Sequence, residues 1–155
     1  MSIPTSVISN QTRFHEAGHA VGAVILGIGL NPRGIQIETD YEATTYVKER
    51  PISEWTEEWC VNRVAVKLSG GAAEMQVRDQ ACDRNTFESD CHYFADYQEG
   101  LQIPQTFQTH RGLCNPVRLE EHLCAALAKA CKVICDNWEK VEKIAIALSS
   151  SPHFA

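Results

Sequence analysis

Residues 14–20 read Phe-His-Glu-Ala-Gly-His-Ala. His15 and His19 are four positions apart, and on an α-helix such residues share a face with Cβ atoms about 5–6 Å apart. Two imidazoles placed that way turn toward one ion at roughly 2.0–2.1 Å each. Glu16 points to the side of the pair, where it reaches a water on the metal without filling a coordination position. Zinc held by three protein ligands keeps a place for that water and lowers its pKa to about 7, so a nucleophile exists at neutral pH. Glu16 is then the general base that takes the proton and hands it to a leaving amine. Ala17 and Gly18 are small, which lets neighbouring helices approach the crowded inner turn. The pattern has only three fixed positions, however, and an amphipathic helix with two histidines also writes it.

Two histidines need a third protein ligand, and by residue type alone Glu74, Asp79, Asp83, Glu88, Asp90 and Asp96 all qualify. The elements that carry these groups follow from periodicity and caps. Ser9 or Asn10 can cap a helix running to about Gly27, with Phe14, Ala17, Val21, Val24 and Ile25 on one apolar face. Gly27, Gly29, Asn31 and Pro32 stop it, and GIQIETD and ATTYVKE then suggest a hairpin turning near Asp40 to Glu42. After Pro51 and Ser53, Trp55, Trp59, Val64 and Leu68 share a helical face. Ser69, Gly70 and Gly71 are expected to interrupt that helix, which resumes over Ala72 to Arg78. A polar segment leads to a short helix from about Asp90 to Gln98. Residues 99–115 look irregular, with the Gln-rich stretch from Gln102 to Gln108 expected as a mobile rim. Asn115-Pro116 starts a long helix, or two nearly continuous ones, in which Leu119, Leu123, Leu127, Ala130, Ile134, Trp138, Val141, Ala145 and Leu148 keep a helical period. The expected class is mostly α with a small β-hairpin or sheet (α+β), as one domain over residues 1–155.

Composition narrows the partners. The chain has 155 residues, 44% hydrophobic and 22% charged, which is enough for a single core. Its formal charge of −6, from 20 acidic and 14 basic residues, gives no basic surface for nucleic acid or anionic lipid. The longest apolar run, Ala20 to Leu30, has 11 residues and three glycines, so no membrane insertion is expected. The N-terminal MSIPTSVISNQTR lacks the features of an export signal. Seven cysteines form no CxxC pair and read mostly as small core residues, which points to a reducing, cytoplasmic compartment.

HEAGHA from His15 to Ala20, LSGGAAE from Leu68 to Glu74 and ESD ending at Asp90 together resemble the proteolytic domain of the FtsH-type ATP-dependent zinc proteases. The resemblance covers nearly the whole chain. It implies a zinc-peptidase domain with an HExxH active-site helix and long C-terminal helices, and one Zn2+ per chain. His15, His19 and Asp90 would be the ligands, Asp90 standing 71 positions after His19, and Glu16 the base. Without the family setting, Asp90 reads as a helix cap, and Glu88 and then Asp83 stand next as ligands. Glu74 is either a carboxylate hydrogen-bonded to the free N–H of a zinc-bound histidine or a surface helix residue. By resemblance, Thr44, Thr45 and Tyr46 lie on the edge strand where an extended substrate adds as a further strand. His92, His110, Arg111 and Tyr46 are candidates to stabilise the oxyanion.

The chain departs from the family in having Met75 where a second glutamate is frequent. It also shows neither an ATPase module nor a membrane anchor, so the expectation is either a free-standing protease domain or one that relies on another chain for delivery, a separate unfoldase or a homo-oligomer being the candidates. The leading expectation is a metalloendopeptidase acting on flexible or unfolded polypeptide. The alternatives are a catalytically silent binding or regulatory module that keeps the fold, and a hydrolase of small amides.

Overall fold

A computed structural model describes residues 9–39, 42–113, 115–151 and 153–154. Helix α1 (Asn10–Ile25) begins where the Ser9 hydroxyl accepts from the Thr12 N–H at 3.0 Å, which satisfies one free donor of the first turn. It ends before Gly27 and Gly29, both with positive φ that side-chain-bearing residues rarely adopt. Strands β1 (Leu30–Ile37) and β2 (Ala43–Val47) pair antiparallel as the expected hairpin, with Ile35 opposite Thr45 and Gln36 opposite Thr44. The expected turn at Asp40 to Glu42 lies partly outside the described residues. A short strand that the sequence pattern did not suggest, β3 (His153–Phe154), pairs with β1, so the sheet order is β2-β1-β3. Ile35 anchors this sheet, fully buried with Ala20 and Leu148.

Helix α2 (Glu57–Val77) passes without interruption through Ser69, Gly70 and Gly71, contrary to the expected break. The reason is tertiary. A Cβ on Gly70 would come within 2.5 Å of His19 Nε2 and 2.9 Å of His15 Nε2, and one on Gly71 within 2.7 Å of Phe87. The small residues mark where α1 and the Phe87 ring press on α2, and the packing offsets their weak helix propensity. The helix starts with Glu57 and Glu58, whose charges suit an N-terminus, and with Thr56 capping the Trp59 N–H.

Helix α3 (Arg84–Ser89), capped by Asp83, occupies part of the segment read as merely polar. Helix α4 (Cys91–His110) is twice as long as the sequence suggested and includes Pro104, so residues 99–110, with the Gln-rich stretch, are helix rather than an irregular rim. Tyr93, Tyr97, Gly100, Pro104 and Phe107 are its buried stripe, at alternating steps of four and three. Burial of that stripe on α2 outweighs the proline and glycine that suggested a loop. Helices α5 (Pro116–Asp136) and α6 (Trp138–Ser150) form the expected nearly continuous C-terminal pair.

The chain is thus mostly helical with a small three-stranded antiparallel sheet, an α+β arrangement. The largest core cluster joins Val64, Leu68 and Met75 of α2 to Phe87, Tyr93 and Tyr97, and to Leu123 and Ala126 of α5. Among the described residues, no helix is long and apolar enough to cross a membrane. Cys82 and Cys131 are joined by a disulfide, whereas the sequence pattern suggested reduced core thiols. Of the free cysteines among the described residues, Cys60 is buried as expected, whereas Cys91, Cys124 and Cys135 are exposed, so the core reading fails for them.

Candidate metal centre and cleft

The small residues at the α1–α2 crossing set the site. Gly18 faces Ser69, Gly70 and Ala73, and Gly22 faces Ser69, so the two helices meet with almost no side chain between them. This lets α2 reach the far side of both imidazoles. His19 Nδ1 donates to the Val66 carbonyl at 2.8 Å, which leaves Nε2 free to face the cleft. His15 Nδ1 lies 2.7 Å from Glu74 Oε1, an ionic contact outside the ideal angle for a hydrogen bond, and the second Glu74 oxygen is buried without a partner. Glu74 was read as either a partner of a ligand histidine or a surface residue; it is buried and beside His15.

The two Nε2 atoms are 3.0 Å apart and both face Asp96, whose Oδ2 is 2.8 Å from His15 and 3.2 Å from His19. These three residues could hold a metal ion, since their ligating atoms all lie within 4.8 Å of one another. Tetrahedral zinc at roughly 2.0–2.1 Å from each ligand sets the ligand atoms about 3.3 Å apart. The separations here fall slightly short of that, and small side-chain shifts admit the ion. Two imidazoles and one carboxylate, with a carboxylate and a carbonyl on the outer nitrogens, are the donor chemistry of a zinc site that has an open position.

Asp90, the expected third ligand, is not brought to the histidines. It sits at the junction of α3 and α4, where its Oδ1 accepts from the His92 backbone N–H at 2.9 Å and meets His92 Nδ1 at 2.8 Å. The capping reading describes it. Glu88 is engaged by Arg84 and Tyr97, and Asp83 caps α3, so neither alternative reaches the site. Asp96 had been one of six acids admitted by type. The signal that would have separated it is the length of α4: once the stripe from Tyr93 to Phe107 is read as one helix, Asp96 falls among Tyr93, Tyr97 and Gly100 on the face that meets α2.

The electrostatics tie the cluster together. Burial alone would disfavour charge on Asp96, but His19 and His15 hold its carboxyl far below the usual range. Burial likewise opposes charge on His15, and contacts with Asp96 and Glu74 outweigh it, raising the pKa from 6.5 to about 10. The cluster therefore carries a proton at neutral pH, and a cation taken up by these ligands displaces it.

Glu16 is 6% exposed and accepts a hydrogen bond from the Thr45 hydroxyl, which also lies 3.2 Å from the Glu16 carbonyl. The β2 strand thus fixes the carboxylate beside the histidines. Thr44 and Thr45 line the cleft with His15, Glu16, His19 and Asp96. Tyr46 does not; its hydroxyl accepts from Arg33, whose guanidinium stacks 3.8 Å above the ring. β2 is the outer strand of the sheet order, so one side of it has no strand neighbour among the described residues. Of the remaining oxyanion candidates, His92 lines the neighbouring stretch of cleft with His15 and Glu74, while Arg111 is held by the Trp55 carbonyl and the Phe107 ring. Two cations absent from the sequence reading, Arg63 and Lys67, stand on the α2 wall of the same cleft.

Comparison with known proteins finds no family model, no curated protein and no solved structure that matches this chain.

Proposed function

We propose that the chain is a zinc-dependent metallopeptidase that cleaves peptide bonds in flexible or unfolded polypeptide, similar in its site to the proteolytic domain of the FtsH-type proteases. His15, His19 and Asp96 hold one zinc ion per chain, and Asp96 takes the ligand role that the family resemblance assigned to Asp90. The observation that carries this reading is the convergence of His15 Nε2, His19 Nε2 and Asp96 Oδ2 on one point beside Glu16. Zinc in this donor set supplies an activated water at neutral pH.

The chain's own residues supply the rest. Val66 and Glu74 hold the two imidazoles from behind and leave Nε2 of each turned toward the cleft, where the bound ion would take the place of the proton. Glu16, aimed by Thr45, accepts a proton from the attacking water and returns it to the leaving amine as the bond breaks. β2 offers its open edge to an extended peptide, whose backbone can pair with it. A merely structural zinc has no use for a carboxylate placed as Glu16 is, which favours catalysis over a silent binding module.

Zinc analysis of the purified protein together with cleavage of an unstructured polypeptide tests the reading. About one zinc per chain is expected, with cleavage lost in Glu16→Gln while the zinc stays. Wild-type protein that binds no zinc would sink the proposal. Zinc-loaded protein that leaves the polypeptide intact would turn it into the binding-module reading.

A further inference from the structure

We propose that one end of this cleft is a carboxylate-binding subsite formed by Arg63 and Lys67, which selects peptides carrying an acidic group at one position relative to the cut bond. The inference rests on the peptidase reading and specifies its substrate.

Arg63, Val66 and Lys67 occupy one face of α2, at steps of three and four. The middle residue supplies the carbonyl that orients His19, so the two cations flank the histidine's anchor and face the cleft opposite Thr44 and Thr45. Each already has a carboxylate partner: Arg63 donates to Glu49 at 2.8 Å and Lys67 to Glu99 at 2.6 Å. The exposures are unequal. The Arg63 and Lys67 side chains are 12% and 27% exposed, but Glu49 and Glu99 are 61% and 56% exposed. The cations are therefore fixed in the wall while their partners sit in solvent, where such pairs are weak and screened. A guanidinium has five N–H donors and an ammonium three, and each uses one of them on its glutamate, so donors remain for a second carboxylate. A substrate carboxylate entering the cleft is desolvated with the cations and gains more from them than the exposed glutamates do.

The other end of the cleft differs. Beyond His15 it is lined by Glu74, His92, Ser9 and Thr12, with no lysine or arginine among the described residues. A preference for negative charge is therefore confined to one side of the scissile bond. The recognised group is a carboxylate, from an Asp or Glu side chain or from the substrate's C-terminus.

Fluorescence anisotropy on zinc-loaded Glu16→Gln protein separates these sources, because binding is read without cleavage. The probes are short labelled unstructured peptides carrying Glu, Gln or Lys at successive positions, each with an amidated or a free C-terminus. At one position Glu is expected to bind about tenfold tighter than Gln, with Lys weaker than both. The preference should shrink in Lys67→Met and in Arg63→Met, vanish when both are replaced, and turn in favour of Lys in Lys67→Glu. An advantage seen only with the free C-terminus identifies the chain end as the recognised carboxylate. Peptides that bind without any carboxylate advantage, peptides that do not bind, or an advantage unchanged in the doubly substituted protein would each overturn the subsite. Failure of the wild type to hold zinc is a separate result, and it falls on the peptidase reading instead.

Discussion

His15, His19 and Asp96 bring ligating atoms within 4.8 Å of one another, and so do Asp90, Cys91 and His92. Both groups hold an aspartate at hydrogen-bond distance from a histidine, yet their surroundings differ. The first is assembled from α1 and α4 against α2, its imidazoles are pinned from behind by Val66 and Glu74, and the two Nε2 atoms and Asp96 Oδ2 face one another. The second comes from three consecutive residues at the start of α4. Cys91 and His92 are exposed, and Asp90 spends its oxygens on the His92 N–H, the His92 ring and Gln80. Arg78 stands 3.7 Å from the same carboxylate and repels any incoming cation. Residue type and proximity are common to both clusters; outer partners that aim the ligands belong to the first alone.

The widest separation between the two is expected in zinc content after removing each aspartate. Asp96→Ala should lose the metal, and Asp90→Ala should keep it, as read by metal analysis of matched preparations. The opposite pattern would exchange the roles of the two clusters. Next comes Gly70→Ala, which adds a methyl group between the imidazoles and α2. Overpacking of this kind costs about 1–3 kcal/mol, so both thermal stability and zinc content should fall, whereas a substitution at Gly112, where nothing lies within 4 Å of a Cβ, leaves the metal alone. Glu74→Gln probes the outer support directly. Losing such a partner weakens metal binding roughly 10–100-fold, and a chelator competition series would show it.

The smallest effect belongs to the exposed cluster. Asp90→Ala removes a cap and should cost about 1 kcal/mol of stability in chemical denaturation. Its acid dependence is specific. Hydrogen bonds from the His92 backbone and ring lower the Asp90 pKa from 3.8 to about 2. A lowered carboxylate pKa contributes stability that is present above 3.8 and is lost as pH falls through about 2. The stability gap between wild type and Asp90→Asn should therefore close between pH 4 and pH 2. A gap that stays constant through that range would show that the carboxylate's charge does not matter there.

Part of this was legible in the chain itself. The His15–Glu16–His19 arrangement depends on helix geometry within a single turn, and the cap at Ser9 and the break at Gly27 and Gly29 are local signals that the structure bears out; of the apolar face read on α1, Ala17 and Val21 are buried but Val24 and Ile25 are exposed. The paired strands and the C-terminal helices were legible for the same reason. What was not legible had long-range causes. Gly70 and Gly71 signal a break by propensity and serve as contact points by packing. Gly100 and Pro104 signal a loop and lie on the buried stripe of α4.

The sequence by itself determined two histidines on one helical face with a carboxylate beside them, because 3.6 residues per turn decides that without reference to the rest of the chain. It determined a mostly helical domain with a small sheet, because hydrophobic period and turn chemistry are written locally. Only the tertiary structure decided which of six acids meets the histidines. Asp96 lies 77 residues from His19, and its arrival depends on α4 docking against α2. The close crossing of α1 and α2 at Gly18, Gly22 and Gly70 placed Glu74 behind His15 and brought the α2 face with Arg63 and Lys67 to the cleft. Helix periodicity says which residues share a face, and packing of that face against its neighbours says what it meets.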